Sequence, residues 1–303
     1  MKILKGRTAV ITGAASGLGL ETARLAAERG MNIVMADVQG DALEVAAADV
    51  RARGAAVLPL RTDVRRAADV EALAAATLDR FGTPNFVFNN AGVIAGGLVW
   101  ESSVEDWEWV LGVNLMGVVH GVRVFTPLML RAARADSSYE GHIVNTASMA
   151  GLVNPPNMGV YNVSKHAVVS LSETLYQDLA LVTAQIGASV LCPFFVPTGI
   201  HRSQRERPDD LRPENPALSR SALVAQTMLG KAVTNAKVSA AQVAEMVLTA
   251  VSERRFYVYS HPNSLGSVRT RLEDVVSGRN PSDPFADKPQ LGAELRAALN
   301  SGQ

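Results

Sequence analysis

The sequence predicts an α/β protein: a doubly wound parallel sheet with helices on both faces. Three observations carry this expectation. Short apolar runs alternate with segments of helical period as far as Cys192. Glycines crowd the turn after the first run. The chain has 303 residues, 48% hydrophobic and 19% charged, enough for one large core and too apolar for a disordered chain.

The elements follow in order. Residues 8–11 form a short apolar run that stops at Thr12-Gly13, as a buried strand does. Residues 18–29 carry Leu18, Thr22, Leu25 and Ala26 on one helical face, and Gly30 ends that helix. A strand at 32–36 and a helix at 41–53 come next. The strand at 56–61 contains Pro59, which argues against a central place in the sheet. A helix at 69–81 leads to a strand at 85–88, and a long helix at 105–134 carries Pro127 as an expected kink. A strand at 142–146, a helix at 160–185 and a strand at 188–192 complete the alternation. From Gly199 to Ser219 the texture changes to prolines and charges, which predicts a mobile loop or lid, taken as far as residue 222. A helix at 239–252 and a strand at 256–259 follow. The C-terminal extension, residues 260–303, is polar from Asn280 onward, with a short helix expected at 291–299. No repeat or linker divides the chain, so residues 1–303 are read as one domain.

Composition narrows the function. Lys plus Arg and Asp plus Glu both number 29, so no basic excess points to nucleic acid or anionic lipid. Cys192 is the single cysteine, which excludes an intrachain disulfide and a zinc site built from several thiolates. The five histidines (His120, His142, His166, His201 and His261) lack metal-ligand spacing, and no metal is expected. No uninterrupted apolar run approaches the roughly 18 residues of a spanning helix, and the basic N-terminus lacks the apolar centre of a secretory signal. A cytoplasmic protein with no membrane partner is the expectation. Trp100, Trp107 and Trp109 read as core or subunit contact rather than substrate binding.

Three constellations carry chemistry. The first is the turn Thr12-Gly13-Ala14-Ala15-Ser16-Gly17-Leu18-Gly19, between a strand and a helix. Such glycines allow close backbone approach, and the helix N-terminus offers free N–H groups to a phosphate. The second is Asp37, at the end of the second strand. A carboxylate there hydrogen-bonds ribose hydroxyls and repels a 2′-phosphate, and no base between Gly13 and Gly19 offsets it. The third is Tyr161-x-x-x-Lys165, with Ser148 thirteen positions before the tyrosine. Tyr161 and Lys165 share a helical face, so the ammonium is expected to lower the phenol pKa from its usual ~10 and make it a general acid or base.

Together these residues resemble the short-chain dehydrogenase/reductase family, single-domain NAD(P)-dependent oxidoreductases with a Rossmann-like fold. The resemblance spans about residues 5–259. It implies that Gly13, Ser16, Gly17, Leu18, Gly19 and Asp37 bind the cofactor, with Asp63 and Val64 at the adenine and Asn90, Ala91 and Gly92 beside the adenosine ribose. It implies Pro193, Val196 and Thr198 at the nicotinamide carboxamide, and Tyr161 and Lys165 at the nicotinamide end. It implies a catalytic set of Asn114, Ser148, Tyr161 and Lys165, with Asn114 positioning a water against the lysine. Phe194 stands where the family usually has glycine. Ile94, Met149, Val153, Met158, Phe194 and Phe195 are expected to line an apolar substrate pocket. The expected activity is hydride transfer between NAD, preferred over NADP, and an apolar or aromatic secondary alcohol or ketone. A homo-oligomer, tetramer or dimer, is implied through the helices around residues 111–130 and 168–181. Epimerisation or dehydration with transient use of NAD, and a non-catalytic nucleotide sensor, are the alternatives.

Overall fold

The computed structural model describes residues 4–212 and 218–301. Seven parallel strands form one sheet in the order β3-β2-β1-β4-β5-β6-β7. They are β1 (Thr8–Thr12), β2 (Asn32–Asp37), β3 (Val57–Arg61), β4 (Phe86–Asn89), β5 (Gly141–Thr146), β6 (Ile186–Cys192) and β7 (Tyr257–Tyr259). The helices are α1 (Gly17–Glu28), α2 (Gly40–Arg51), α3 (Ala67–Phe81), α4 (Val104–Leu111), α5 (Gly117–Ala135) and α6 (Gly159–Val182). The later ones are α7 (Arg220–Thr234), α8 (Ala240–Glu253), α9 (Gly266–Val276) and α10 (Pro289–Asn300).

Alternating side chains of each central strand feed two cores. Ala9, Ile11, Ile33, Met35, Phe86 and Phe88 pack beneath α1, α2 and α8. Val10, Val34, Val87 and Ile143 face Leu73 of α3, Phe125 and Met129 of α5, and Leu175 of α6. Both faces being covered explains why these strands read as continuous apolar runs. Full burial of a side chain such as Phe88 contributes roughly 1.5–3 kcal/mol. β3 is an edge strand, which accommodates Pro59, where no second neighbour needs its missing N–H. The order reverses between β1 and β4, and this reversal opens a crevice at the carboxyl ends of the strands.

The structure departs from the sequence reading at four places. The long helix is interrupted by a π-helical turn at Gly112–Met116, and α5 runs on through Pro127. Residues expected to be a mobile loop include two 3-10 turns, Ile200–Glu206 and Asp209–Leu211, and α7 begins at Arg220. Pro213 and Pro216 of that stretch lie outside the described residues. The sequence pattern predicts neither α7 nor α9. The helical stretch Val104–Ala135 is also long and apolar enough, by length and composition, to cross a membrane, with a window of mean hydropathy 1.4 that is 33% buried. Glycines, Asn114 and His120 interrupt the apolar run and lower its mean without bringing it out of the spanning range, so the expectation that no run approaches a spanning helix is corrected for this stretch.

Candidate active site

The turn after β1 is shaped by contact as much as by conformation. Gly13 has φ +65°, and a Cβ there would meet the Ala91 backbone at 2.9 Å. A Cβ on Gly19 would fall 2.1 Å from the Gly13 carbonyl oxygen. Thr12 Oγ1 accepts from the N–H groups of Asn90 and Ala91 at 2.9 and 3.1 Å, and Asn90 Nδ2 donates to the Thr12 carbonyl at 3.0 Å. The ends of β1 and β4 are thereby tied together beneath an open cradle.

Asp37 closes one side of that cradle. Its carboxylate accepts from Ala15 N at 3.0 Å and from Gln39 N at 3.1 Å. Burial pushes its pKa up, while the hydrogen bonds from Gln39, Ala15 and Val38 and the Arg205 guanidinium pull it down. The turn itself holds no base, but the fold supplies Arg205 from the segment after β6. Asp63 is paired with Arg65 at 2.7 Å.

Tyr161 and Lys165 lie one turn apart near the start of α6, and Ser148 follows β5 at the head of a 3-10 turn. Ser148 Oγ accepts from Ala150 N at 3.1 Å and donates to the Pro193 carbonyl at 3.4 Å. Lys165 Nζ stands 5.7 Å from the centre of the Tyr161 ring and donates to the Thr146 carbonyl at 2.9 Å. Burial pushes the Tyr161 phenol up to about 12, opposed by its hydrogen bond with Ser148. Burial pushes Lys165 down to about 7. The expected lowering of the tyrosine pKa is therefore reversed in this state. Desolvation disfavours both the phenolate and the ammonium more than their proximity favours them.

Asn114 sits in the π-helical turn and is fully buried. Its Nδ2 donates to the Val93 carbonyl at 2.9 Å and to Ser164 Oγ at 3.0 Å, and its Oδ1 accepts from Val93 N at 2.8 Å. Both amide protons are committed to protein groups, so only an Oδ1 lone pair remains for the expected water.

One cavity of about 1100 Å³ joins these parts. Gly13, Ser16, Gly17, Leu18, Asp37, Asp63, Val64, Asn90, Ala91 and Gly92 line one end. Ser148, Tyr161, Lys165, Pro193, Val196 and Thr198 line its middle. Ile94, Met149, Val153, Met158, Phe194 and Phe195 line the part beyond. Gly19 and Asn114 stand behind the wall rather than in it. Phe194, at the glycine-replacing position, donates its N–H to Ser260 Oγ at 2.9 Å, and its ring packs at 4.5 Å on Phe195 and 5.7 Å on His261.

Several lining residues were missed by sequence reasoning. Trp109 is buried in the cavity wall, and the Arg207 guanidinium lies 5.1 Å over its ring while pairing with Asp106 at 2.6 Å. Met228 and Leu229 of α7, and Phe285, Leu291 and Leu295 of the tail, also face the cavity. The available signal for α7 was Ser219, whose hydroxyl caps the helix by accepting from Ala222 N at 3.2 Å. Among the described residues, no group of three or more His, Cys, Asp or Glu side chains could hold a metal ion. Cys192 is buried at the end of β6, and burial pushes its thiol up to about 12.

The short chain dehydrogenase family model matches residues 7–209. The chain belongs to the short-chain dehydrogenase/reductase family. It is an oxidoreductase acting on CH–OH groups. A crystal structure of a short chain dehydrogenase/reductase from Burkholderia phymatum, in complex with NAD, is 52% identical with a TM-score of 0.91, covering 94% of this chain and all of that one. The CLA biosynthesis dehydrogenase/reductase of Lactiplantibacillus plantarum is 32% identical over 95% of this chain and 99% of its own length. The 1-deoxy-11-beta-hydroxypentalenate dehydrogenase of Streptomyces exfoliatus is 34% identical over 90% of this chain and 89% of its own. The matched span ends at residue 209, so it includes Ile200–Glu206, while α7 and the tail after β7 lie beyond it.

Proposed function

We propose that this short-chain dehydrogenase oxidises an apolar secondary alcohol with NAD, or reduces the corresponding ketone with NADH. The observation that carries the reading is the convergence of Ser148, Tyr161 and Lys165 on the cavity that also contains the glycine turn and Asp37. A cradle that a Cβ at Gly13 would fill suits a dinucleotide pyrophosphate. Gly13, Ser16, Gly17 and Leu18 would hold the phosphates, Asp37 the adenosine ribose, and Asp63 and Val64 the adenine. Asn90, Ala91 and Gly92 would flank the ribose, while Pro193, Val196 and Thr198 would hold the carboxamide. Lys165 and Tyr161 would contact the nicotinamide ribose. When bound, the nicotinamide supplies the hydride acceptor or donor.

The chain's own groups manage the proton. In oxidation the Tyr161 oxygen takes the hydroxyl proton as the carbinol C–H bond breaks; in reduction it returns one to the ketone oxygen. Ser148 Oγ orients that oxygen. When protonated, Lys165 offsets part of the desolvation that disfavours the phenolate, and Asn114 fixes Val93 and the chain beside it. The apolar lining at Ile94, Met149 and Met158 supports an apolar substrate. The NAD held by the Burkholderia protein supports the choice of nucleotide.

A screen of secondary alcohols with NAD and with NADP, followed by absorbance of the reduced cofactor, tests the proposal. Turnover with NAD is expected. Failure with all alcohols, alongside turnover of a sugar nucleotide without net NADH, would replace it with the epimerase reading.

A further inference from the structure

We propose that the tail after β7 is a substrate-binding element which, with α7, builds an outer apolar chamber for the body of an extended secondary alcohol or ketone. This rests on the dehydrogenase reading and specifies its substrate class as neutral molecules reaching well beyond the carbinol carbon.

The cavity runs without interruption from Tyr161 to the tail. Its volume of about 1100 Å³ exceeds the roughly 300–1000 Å³ typical of a single-ligand pocket, which suits a cofactor plus a sizeable substrate. On α7, Leu229 packs with Ile94, Ala150 and Tyr161 at the catalytic end, and Met228 lines the cavity together with Phe285, Leu291 and Leu295 of the tail.

The tail is fastened, not merely draped. Arg220 Nε donates to the Ala298 carbonyl at 2.6 Å, and the same guanidinium bonds Ser301 Oγ. The Asp274 carboxylate accepts from Ser282 N at 2.9 Å and pairs with Arg279 at 3.1 Å. Phe285 seats against Gly292, where a Cβ would lie 3.1 Å from its ring. These ties order a segment that is otherwise largely exposed. Leu295 is buried, but Leu291 lines the cavity and remains 37% exposed, an apolar contact awaiting an apolar partner.

Charge decides between a neutral and an anionic occupant. Lys231 and Lys288 reach the outer lining, but Asp287 and Glu294 do too. The two cations are matched by two carboxylates, so the chamber has no net attraction for an acid group, and apolar contact is left to select the ligand.

The test uses the full chain and the series 2-butanol, 2-hexanol, 2-octanol and 2-decanol with NAD. Each methylene buried in the chamber is expected to raise kcat/KM about fourfold. Leu291→Trp, which fills the chamber, should lower kcat/KM for 2-decanol at least tenfold more than for 2-butanol, chiefly through KM. Met228→Ala, which only removes atoms from the opposite wall, should flatten the chain-length slope. A flat slope in the unaltered protein, or equal losses for short and long alcohols in both variants, overturns the chamber. Calorimetric titration of 2-decanone into the NADH-loaded protein reads the same wall without turnover. Binding weakened by Leu291→Trp in a protein that oxidises no alcohol would overturn the dehydrogenase reading and keep the chamber. Undiminished binding would overturn the chamber whatever the activity.

Discussion

Lys165 is almost wholly buried at the cavity wall, with the Thr146 carbonyl as its hydrogen-bond acceptor. Its folded pKa of about 7 lies below the ~10.4 of an unfolded lysine. Between those values the unfolded chain binds the extra proton, so stability rises with pH from 7 toward 10 and the cost is fully present below 7. Each unit of displacement corresponds to about 1.4 kcal/mol. Lys165→Met should therefore raise the melting temperature at pH 7 and flatten its pH dependence between 7 and 10, while abolishing activity; thermal scans across pH read this directly. Tyr161 serves the substrate oxygen, so Tyr161→Phe should cut turnover by about 10²–10⁴ and leave NADH affinity, measured by fluorescence, within a few-fold. At the other end of the cavity, Asp37 opposes a 2′-phosphate while Arg205 partly offsets its charge. The expected kcat/KM ratio favours NAD; Asp37→Ala should narrow it and Arg205→Ala widen it. Equal use of both nucleotides by the unaltered protein would remove Asp37 from this role.

The segment Ile200–Glu206 and the turn after it act as one docked element. Ser203 Oγ accepts from Ile94 N at 3.0 Å, and Arg207 joins Asp106 of α4 to the face of Trp109. Hydrogen bonds to charged groups contribute about 1.5–3 kcal/mol, so Arg207→Met should release the segment, speeding amide exchange over residues 200–211 and lowering the melting temperature. If exchange there is already fast in the unaltered protein and falls only with NADH and a ketone, the segment is the lid that its composition suggests. The prolines and charges that made 199–219 read as loop do not register a single well-placed guanidinium–indole contact, because that contact joins residues 98 positions apart in sequence. The β1–α1 turn, β2, β4, β5 and α6 were legible for the opposite reason: apolar runs, glycines and helical spacing are local signals. α7 was not, because part of its apolar face addresses the cavity rather than the sheet. α9 buries only Asp274, and its contact with a core cluster is confined to Val268 and the capping Leu265. The π-helical turn that carries Asn114 has no compositional signature, and only the backbone reveals it. Of the site, the glycine turn, Asp37, Ser148, Tyr161 and Lys165 could be read from sequence; Trp109, Arg205 and the tail's share of the wall required the fold.

At the scale of the molecule, the question is what covers the outward side of the central helices. The most apolar window of Val104–Ala135 is only 33% buried within this chain. Met116 on its π-helical turn is exposed, as are Val163, Tyr176, Leu181 and Val182 on or beside the outward side of α6. Leu181 keeps 84% of its surface in solvent. Single exposed apolar residues need no explanation, but here they recur on α6 and on the π-helical turn packed against it, which is where an association surface is proposed. A stable interface buries about 800 Å² per partner. The proposal is self-association through these helices into a dimer or tetramer. Light scattering at micromolar concentration should return two or four times the chain mass, and Met116→Glu combined with Leu181→Glu should shift the population toward monomer. A monomer in the unaltered protein would contradict the proposal. A monomer that co-sediments with lipid vesicles would assign the same face to a membrane surface instead. Association would also act on stability, because assembled subunits gain by mass action what the free chain lacks. The melting temperature should therefore rise with protein concentration in the unaltered chain and lose that dependence in the double variant.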